Sequence, residues 1–531
     1  MRAGPPPQPP NAATAAGARQ VATVFSVRKG PSRPGTLPPT RGKLGRLGKS
    51  GLWAAYAVLA LLLAAPLLVA EVPLGMDTVN HLARIHVRAH IAGDADLAGL
   101  FGLRDGLVPY MGLDWLLTPL AKVMPTLVAG RVGIVLILWG TVGAVVVLQR
   151  VFTGRIGAEP LLMGLVSYNS LLASGFLTYL VGVVGALLGL AAWHGLRDRP
   201  WLARLGAAAA VATALYLTHL LALALYGVML GAYEVFGRPR AWRTPVREWA
   251  LLGMQVLPSA LLWLSMIPPQ PPERTSARWL LETKVLALVS PVDFAGRGNG
   301  IALTFAILAG CTASAVILTR RGVLAWDRKL AAPAIVLLLM GLVAPTWALG
   351  VYLVDLRFPA PGVFLGIAAL TVLPAAAPRL LPLGLVLAVA FVLQVWSAGA
   401  AMHACDHQYG ELRAAMQALP QGTVLTTVLE TEEPAPEAAC TDLPIFEHIA
   451  QLVTVERSGY SPDFFSRLTS VTVRPGLDTD AHAIRTHQLT PDMLPRQGRI
   501  LWLHMGNHSR PVPPGMVLLH AGSFFDLYSI P

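Results

Sequence analysis

Asp77, His81, Arg84 and Arg88 follow one another at intervals of four, three and four residues, shortly after the first long apolar run of the chain. If the segment continues as a helix, all four lie on one face. A carboxylate accepts protons, an imidazole titrates near neutrality, and a guanidinium binds oxyanions. Such a face where a membrane helix meets water marks a candidate site. The same residues also fit a plainer arrangement, in which Asp77 caps an interfacial helix and pairs with Arg84 or His81. Glu71 is the rival acid, closer to the end of the apolar run.

The elements that must position this face are hydrophobic. Of the residues, 54% are hydrophobic and only 13% charged, and the mean hydropathy is +0.57, far from the composition of a water-soluble domain. Apolar runs long enough to span a bilayer occur at 52–70, 126–148, 161–177, 178–196, 202–219, 220–236, 249–267, 301–319, 330–350, 359–373 and 380–398, about eleven spans in all. A further stretch, 107–123, carries Pro109, Asp114 and Pro119 and reads as interfacial or re-entrant. The expected fold is therefore an α-helical polytopic membrane protein.

Charge sets the orientation. With an N-terminus in the cytoplasm, the inner connections collect Arg150, Arg155, Arg197, Arg199, Arg320 and Arg321, among others, whereas the outer ones balance acids and bases. The arm at 1–48 is rich in Pro, Ala, Gly and Arg, has no acidic residue, and reads as disordered and cytoplasmic. The net charge of +12 is thus mostly a topology signal, and no nucleic-acid partner is expected. Attraction of the arm to anionic membrane lipid fits the same charge.

Residues 49–400 form the expected transmembrane part, with a first outer loop at 71–125 and another at 268–300. From 401 to 531 the chain becomes polar and rich in histidine. A helical pattern at 408–419, a β-rich run at 422–429, a second helical pattern at 444–453 and strand-like runs at 470–473, 499–504, 516–520 and 524–530 suggest a small α/β domain. After an odd number of spans it lies outside the cytoplasm, where an oxidising compartment allows Cys405 and Cys440 to form a disulfide. Two buried free thiols are the alternative. The histidines of this region lack metal-like spacing and read as solvated or packed, and His86 and His90 read as solvated.

Other residues carry both readings. Tyr168, Asn169 and Tyr179 suit a cavity lining or plain helix packing. His219 suits a ligand contact or a satisfied interfacial histidine, and Asp355 with Arg357 a binding site or a local ion pair. After the stiff run at 268–272, apolar spacing at 277–288 reads as an interfacial helix, either roofing the cavity beside Asp77 or merely connecting spans. The Gly-rich run at 296–300 lacks the lysine and setting of a phosphate loop and reads as a turn.

Several short motifs together resemble the bacterial polytopic glycosyltransferase-like proteins of the GT-C class. They are Asp77-x-x-Asn80-His81-x-x-Arg84 after the first span, Ser167-Tyr168-Asn169, the Gly175 to Gly182 stretch, Thr218-His219-Leu220, and Asp355-Leu356-Arg357-Phe358-Pro359 before a later span. The single extracytoplasmic C-terminal domain is similar too.

That resemblance implies a GT-C-like fold in the bacterial inner membrane and inverting transfer of a sugar from a polyprenyl-phosphate donor to an envelope glycan, lipid or protein acceptor. It makes Asp77 the general base, and Arg84, Arg88 and Arg357 the cations for the departing phosphate. His81 would bind the phosphate or orient Asp77, with His219, Tyr168 and Asn169 as further substrate contacts. Carboxylate and donor phosphate would suffice to share a divalent metal, but no second acid is placed to complete a site. Two rivals remain: a transporter or flippase of a lipid-linked substrate, against which the lack of ionisable residues in most spans counts, and a non-catalytic envelope assembly protein.

Overall fold

The computed structural model describes residues 48–237, 246–266, 277–294, 299–348, 350–373, 380–430, 440, 445–462, 464–466, 469–477, 484–485, 498–504 and 512–530. The basic arm up to residue 47, the proline run at 268–272 and most of the Gly-rich run lie outside these.

Among the described residues, seven helices are long and apolar enough to cross a membrane: Lys49–Leu68, Thr126–Thr153, Leu177–Gly195, Trp201–Thr218, Leu220–Gly237, Ala302–Arg320 and Leu381–Gln417. The α-helical bodies in chain order are α1 (Lys49–Ala64), α2 (Thr78–His90), α3 (Gly112–Ala121), α4 (Thr126–Thr153), α5 (Leu177–Gly195), α6 (Trp201–Thr218) and α7 (Leu220–Ala232). They continue as α8 (Leu281–Val289), α9 (Asn299–Arg320), α10 (Arg328–Val343), α11 (Pro359–Ala369), α12 (Leu381–Gln417) and α13 (Leu452–Arg457).

The other apolar runs depart from single long helices. The run at 161–177 is broken into a 3-10 helix (Glu159–Leu165) and one helical turn (Ser170–Ala173). Its irregular backbone is tolerated because distant segments satisfy it: Ser170 N–H donates 3.0 Å to the Ser290 carbonyl, and Gln394 Nε2 donates 3.2 Å to the Tyr168 carbonyl. The run at 249–267 is split into Val246–Met254 and Leu257–Met266. Helices α10 and α11 have 16 and 11 residues. At the far end, the last apolar run does not stop where the polar segment begins: α12 continues for 37 residues, absorbing most of the helix expected at 408–419.

Local chemistry explains several boundaries. Helix α4 starts after Pro125 and ends at Gly154, whose left-handed φ of 74° lets its N–H reach the Arg150 carbonyl. Helices α6 and α7 are separated by His219 alone, in extended conformation. Packing uses glycines: a Cβ at Gly130 would come within 2.6 Å of Leu82, so α2 lies tightly on α4. Val79, Leu82 and Ile85 on α2 are fully buried, each contributing about 1.5–3 kcal/mol.

Hydrogen bonds place the loops at two ends of the bundle. At one end the Met76 and Asp77 amides bond the Ala173 and Ser174 carbonyls, and Met111 N–H bonds Leu217. At the other, Val372 N–H reaches Glu159, and Arg328 reaches the Phe236 carbonyl.

The strands are β1 (Phe101–Leu103), β2 (Leu324–Trp326), β3 (Trp347–Ala348), β4 (Val351–Tyr352), β5 (Leu370–Val372), β6 (Leu425–Leu429), β7 (Val471–Val473), β8 (Ile484–Arg485), β9 (Gly498–Leu503), β10 (Val517–Ala521) and β11 (Phe525–Ile530). The five-stranded sheet has the order β10-β11-β9-β6-β8, with β6 parallel to both β8 and β9 and the other pairs antiparallel. Cys405 on α12 and Cys440 are joined by a disulfide with Cα atoms 5.0 Å apart, tying the sheet region to the helix. The C-terminal part is also fastened to the first loop. Strand β7 pairs antiparallel with β1, Val473 opposite Phe101, and Phe101, Tyr460, Phe464 and Val471 share a buried cluster with Ala83 and Val87 of α2.

Candidate functional site

Asp77 sits at the N-cap position of α2, yet its side chain makes no capping bond. The backbone does the positioning instead. Asp77 N–H donates 3.1 Å to the Ser174 carbonyl, and Gly175, at φ 71°, approaches so closely that a Cβ there would lie 2.7 Å from the Asp77 nitrogen. With its cap role unused, the carboxylate turns toward the C-terminal part, where Oδ1 lies 3.5 Å from His448 Nε2, both side chains mostly buried. His448 follows the Cys440 bridge in a 3-10 helix, Ile445–Gln451.

Arg357 supplies the cation. It lies in a 3-10 turn, Asp355–Arg357, that enters α11, and this turn is anchored from α8. Asp355 is fully buried and accepts from Lys284 Nζ at 2.5 Å, Thr283 Oγ1 at 2.8 Å and Thr346 Oγ1 at 3.0 Å. The segment expected as a roof or connector is therefore the foundation of the Arg357 turn. Asp355 pairs with Lys284, which leaves Arg357 to the site. The Arg357 guanidinium stacks 3.7 Å over Phe176 and 5.5 Å from the Tyr179 ring centroid, and Nη1 lies 3.5 Å from His219 Nε2. Its Nε is buried without a partner. Burial pulls its pKa down, and the opposing carboxylate of Asp77 holds it up, followed by Tyr179 and Tyr110.

Two imidazoles complete the cluster. His81, one turn along α2, is 8% exposed with Nδ1 unpartnered and its ring edge-on to Phe465 at 5.7 Å. Burial, then the fields of Arg84, His219, His448 and Arg357, holds its pKa well below the ordinary value, so it is neutral. His219 accepts the Leu221 N–H through Nδ1 at 3.1 Å, doing the work of an N-cap residue, and packs against Tyr110 at 4.8 Å and Tyr179 at 5.3 Å. Tyr110 holds a left-handed φ of 65°, a strained backbone kept in place beside this cluster.

Asp77, His81, His219 and Arg357 are thus brought together, and four expected residues are not. Arg84 is buried in a bidentate pair with Asp114, Nε and Nη2 at 3.0 and 2.8 Å from the same carboxylate oxygen, while Ser470 donates to the other oxygen. Two of its donors are thereby committed to Asp114. Arg88 lies about 16 Å along α2 from Asp77 by helical rise, beyond the cluster. Tyr168 is held by Leu63, and Asn169 is spent on capping: Oδ1 accepts from the Leu171 and Leu172 amides and Nδ2 donates to Val166. The rival acid Glu71 forms an ion pair with Arg413 at the surface.

Sequence reasoning missed His448, Phe465, Phe176 and Tyr110. Phe176 stands inside the Gly175 to Gly182 stretch and Tyr110 packs on the motif residue His219, but His448 and Phe465 arrive through long-range docking for which no local pattern exists. Asn80, a motif residue, takes part in that docking by accepting the Phe465 N–H at 2.9 Å. Among the described residues no group of three or more His, Cys, Asp or Glu side chains is placed to hold a metal ion.

The arrangement joins an open carboxylate, a buried guanidinium with an unspent donor, and a neutral imidazole. That set can take a proton and stabilise an oxyanion. No family model matches the chain, and no curated protein matches it either. Among solved structures it is similar to the crystal structure of ArnT from Cupriavidus metallidurans bound to undecaprenyl phosphate, with a TM-score of 0.51 at 12% identity over 91% of this chain and 98% of that one. The apo structure of the same protein aligns at a TM-score of 0.49, 12% identity and 90% and 98% coverage.

Proposed function

Starting from a multi-pass membrane protein with a GT-C-like fold, we propose that this chain is an inverting glycosyltransferase that uses a polyprenyl-phosphate-linked sugar. The observation that carries the reading is Arg357, a buried cation with an unpartnered Nε, set against the Asp77 carboxylate. A buried donor of that kind is costly unless a ligand satisfies it. A phosphate does so, and undecaprenyl phosphate is the ligand in the ArnT structure.

In this mechanism Asp77 takes the proton of the acceptor hydroxyl as its oxygen bonds the anomeric carbon. The bond from that carbon to the phosphate oxygen breaks with its electron pair, and the departing polyprenyl phosphate is stabilised by Arg357. His81 and His219, neutral donors or acceptors around Arg357, orient the phosphate. His448 orients Asp77. A lipid-borne donor fits a cluster built at one end of a helical bundle, with the tail in the bilayer and the sugar at the water line.

The finer topology belongs to the same reading. The broken 159–176 segment runs from the Arg150 end of α4 back to Asp77, and counted with the split and shorter helices it gives eleven crossings. The cluster then faces outward from the bacterial inner membrane with the C-terminal part, and the Arg-rich connections face the cytoplasm. The acceptor is an envelope glycan, lipid or protein.

The test is transfer of radiolabelled sugar from polyprenyl-phosphate donors in membranes that contain the wild type or Asp77→Asn, with the folded yield of each measured in detergent. The expected result is transfer by the wild type and a fall of about 10²- to 10⁴-fold in the variant at equal folded yield. Equal transfer by both proteins would remove Asp77 from the mechanism.

A further inference from the structure

Helix α2 has a second polar face. His86 and His90 stand nine residues beyond Asp77 and His81, and nine residues at 3.6 per turn is a rotation of about 180° from them. They therefore face away from the cluster, into a cavity of about 870 Å³ at the same end of the bundle, lined also by Leu68, Glu71, Lys122, Arg131, Arg413 and Glu456.

The wall is amphipathic. On one side Leu68 and Val123 are each 78% exposed apolar side chains, at the end of a membrane span and just before α4. On the other side the charges sort into spent and unspent. Arg413 is held between Glu71 and Glu456. Arg131 gives one Nη1 donor to the Ala70 carbonyl at 3.1 Å, and no partner for the Lys122 ammonium exists among the described residues. His86 shares a 2.9 Å hydrogen bond with Thr126 and packs at a tilt against His90, ring centroids 4.6 Å apart. Burial and the neighbouring His90 push the His86 pKa down to about 4, against the weaker pull of Asp94, so it adds no charge at neutral pH. The first turn of α4 borders the same cavity and has no side-chain cap, and the amide end of a helix favours an anion.

We propose that this cavity binds the phosphate of an anionic phospholipid, between Lys122 and Arg131, with the acyl chains laid along Leu68 and Val123. The site is separate from the Asp77 cluster, with α2 as the wall between them, and the proposal rests only on the membrane location of the chain.

The test is native mass spectrometry of the full chain in detergent with dioleoylphosphatidylglycerol and, separately, dioleoylphosphatidylcholine. The wild type is expected to prefer the anionic lipid by about 30-fold, the sum expected of two cations near a phosphate, and K122Q/R131Q to lose that preference. Lys122→Arg keeps it, which separates loss of charge from loss of fold. Asp77→Asn also keeps it, which separates this site from the transfer reaction. Equal retention of both lipids by the wild type, or an unchanged preference in the double variant, overturns the proposal. Displacement by millimolar inorganic phosphate would show that the cavity takes the free ion, and would overturn the lipid as its occupant.

Discussion

Two kinds of charged cluster lie at the same end of the bundle. Around Asp355 every group is matched: one carboxylate oxygen collects Lys284, Thr283 and Thr346, and the other the Leu356 amide. Arg84, Asp114 and Ser470 are equally closed. Around Asp77 the matching fails. The nearest cationic candidate, His448, stands at 3.5 Å, Arg357 Nε has no partner, and His81 Nδ1 has none. Natural proteins satisfy nearly all buried polar groups, so the closed clusters fit a structural role and the open one fits the ligand site proposed above. Sequence alone cannot separate the two kinds, because an arginine is written the same in both.

The contrast breaks most sharply by exchanging the roles of two arginines. Arg84→Met leaves Asp114 buried with only Ser470, and is expected to cost about 3–5 kcal/mol of stability. Arg357→Met removes a cation whose burial is poorly compensated, and is expected to cost far less stability while abolishing transfer. Thermal unfolding in detergent beside the transfer assay reads both. An Arg84 variant that stays folded but loses transfer would return Arg84 to the site.

Acid sharpens the comparison next. The folded pKa values of His81 and His86 lie below the unfolded value near 6.5, His86 at about 4. Below pH 6.5 the unfolded chain binds protons that the folded chain refuses, so stability falls as pH drops from about 6.5 toward 4. The slope reaches about 1.4 kcal/mol per pH unit for each histidine, summing to about 3 kcal/mol for His86 across the window. Replacing either by Gln flattens the loss. A phosphate-bearing ligand that protects the wild type from acid, but not His81→Gln, would place that ligand in the open cluster; equal protection would place it elsewhere.

His448 has a smaller expected effect. As a positioning residue for Asp77, His448→Gln should lower kcat by about tenfold, a shift of about 1.4 kcal/mol, with little change in KM or thermal stability. Combined with Asp77→Asn it should add nothing, because both act through one carboxylate. An additive loss would mean that His448 acts on the substrate by itself.

How far these distinctions were legible in the sequence depends on the range of the interaction. Apolar runs at 126–148, 178–196 and 202–219 read directly as helices because length and hydropathy are local properties. The run at 161–177 read as one helix and is broken, because neighbours that satisfy its backbone come from distant segments such as Ser290 and Gln394. The strands at 425–429, 471–473 and 498–503 showed in β-branched and apolar alternation, whereas the pairing of β1 with β7 did not. In the site, the spacing of Asp77 and His81 was informative. Arg84 shares their face in sequence, but its partner Asp114 sits in a different helix. His448 gave no signal, since its role exists only once the C-terminal part docks on α2.

Asn169 tests the weakest form of the contrast, a motif residue for which the sequence leaves cavity lining and helix packing both open. The order Asn-Ser-Leu-Leu before a helical turn is a capping pattern, and all of its side-chain bonds are local: Oδ1 to the Leu171 and Leu172 amides, Nδ2 to Val166. Asn169→Ala removes the cap and is expected to cost about 1 kcal/mol of stability. Because the turn it starts ends at Ser174, whose carbonyl receives the Asp77 amide, a slight loosening of Asp77 accompanies it. Transfer per folded molecule should change by less than about twofold, well within 1 kcal/mol. Asn169→Asp, which keeps the acceptor oxygen for both amides, should recover most of the stability. If transfer instead falls much further than folded protein does, and Asp fails to restore it, Asn169 belongs with the open cluster and the boundary between the two kinds of cluster must be redrawn through this turn.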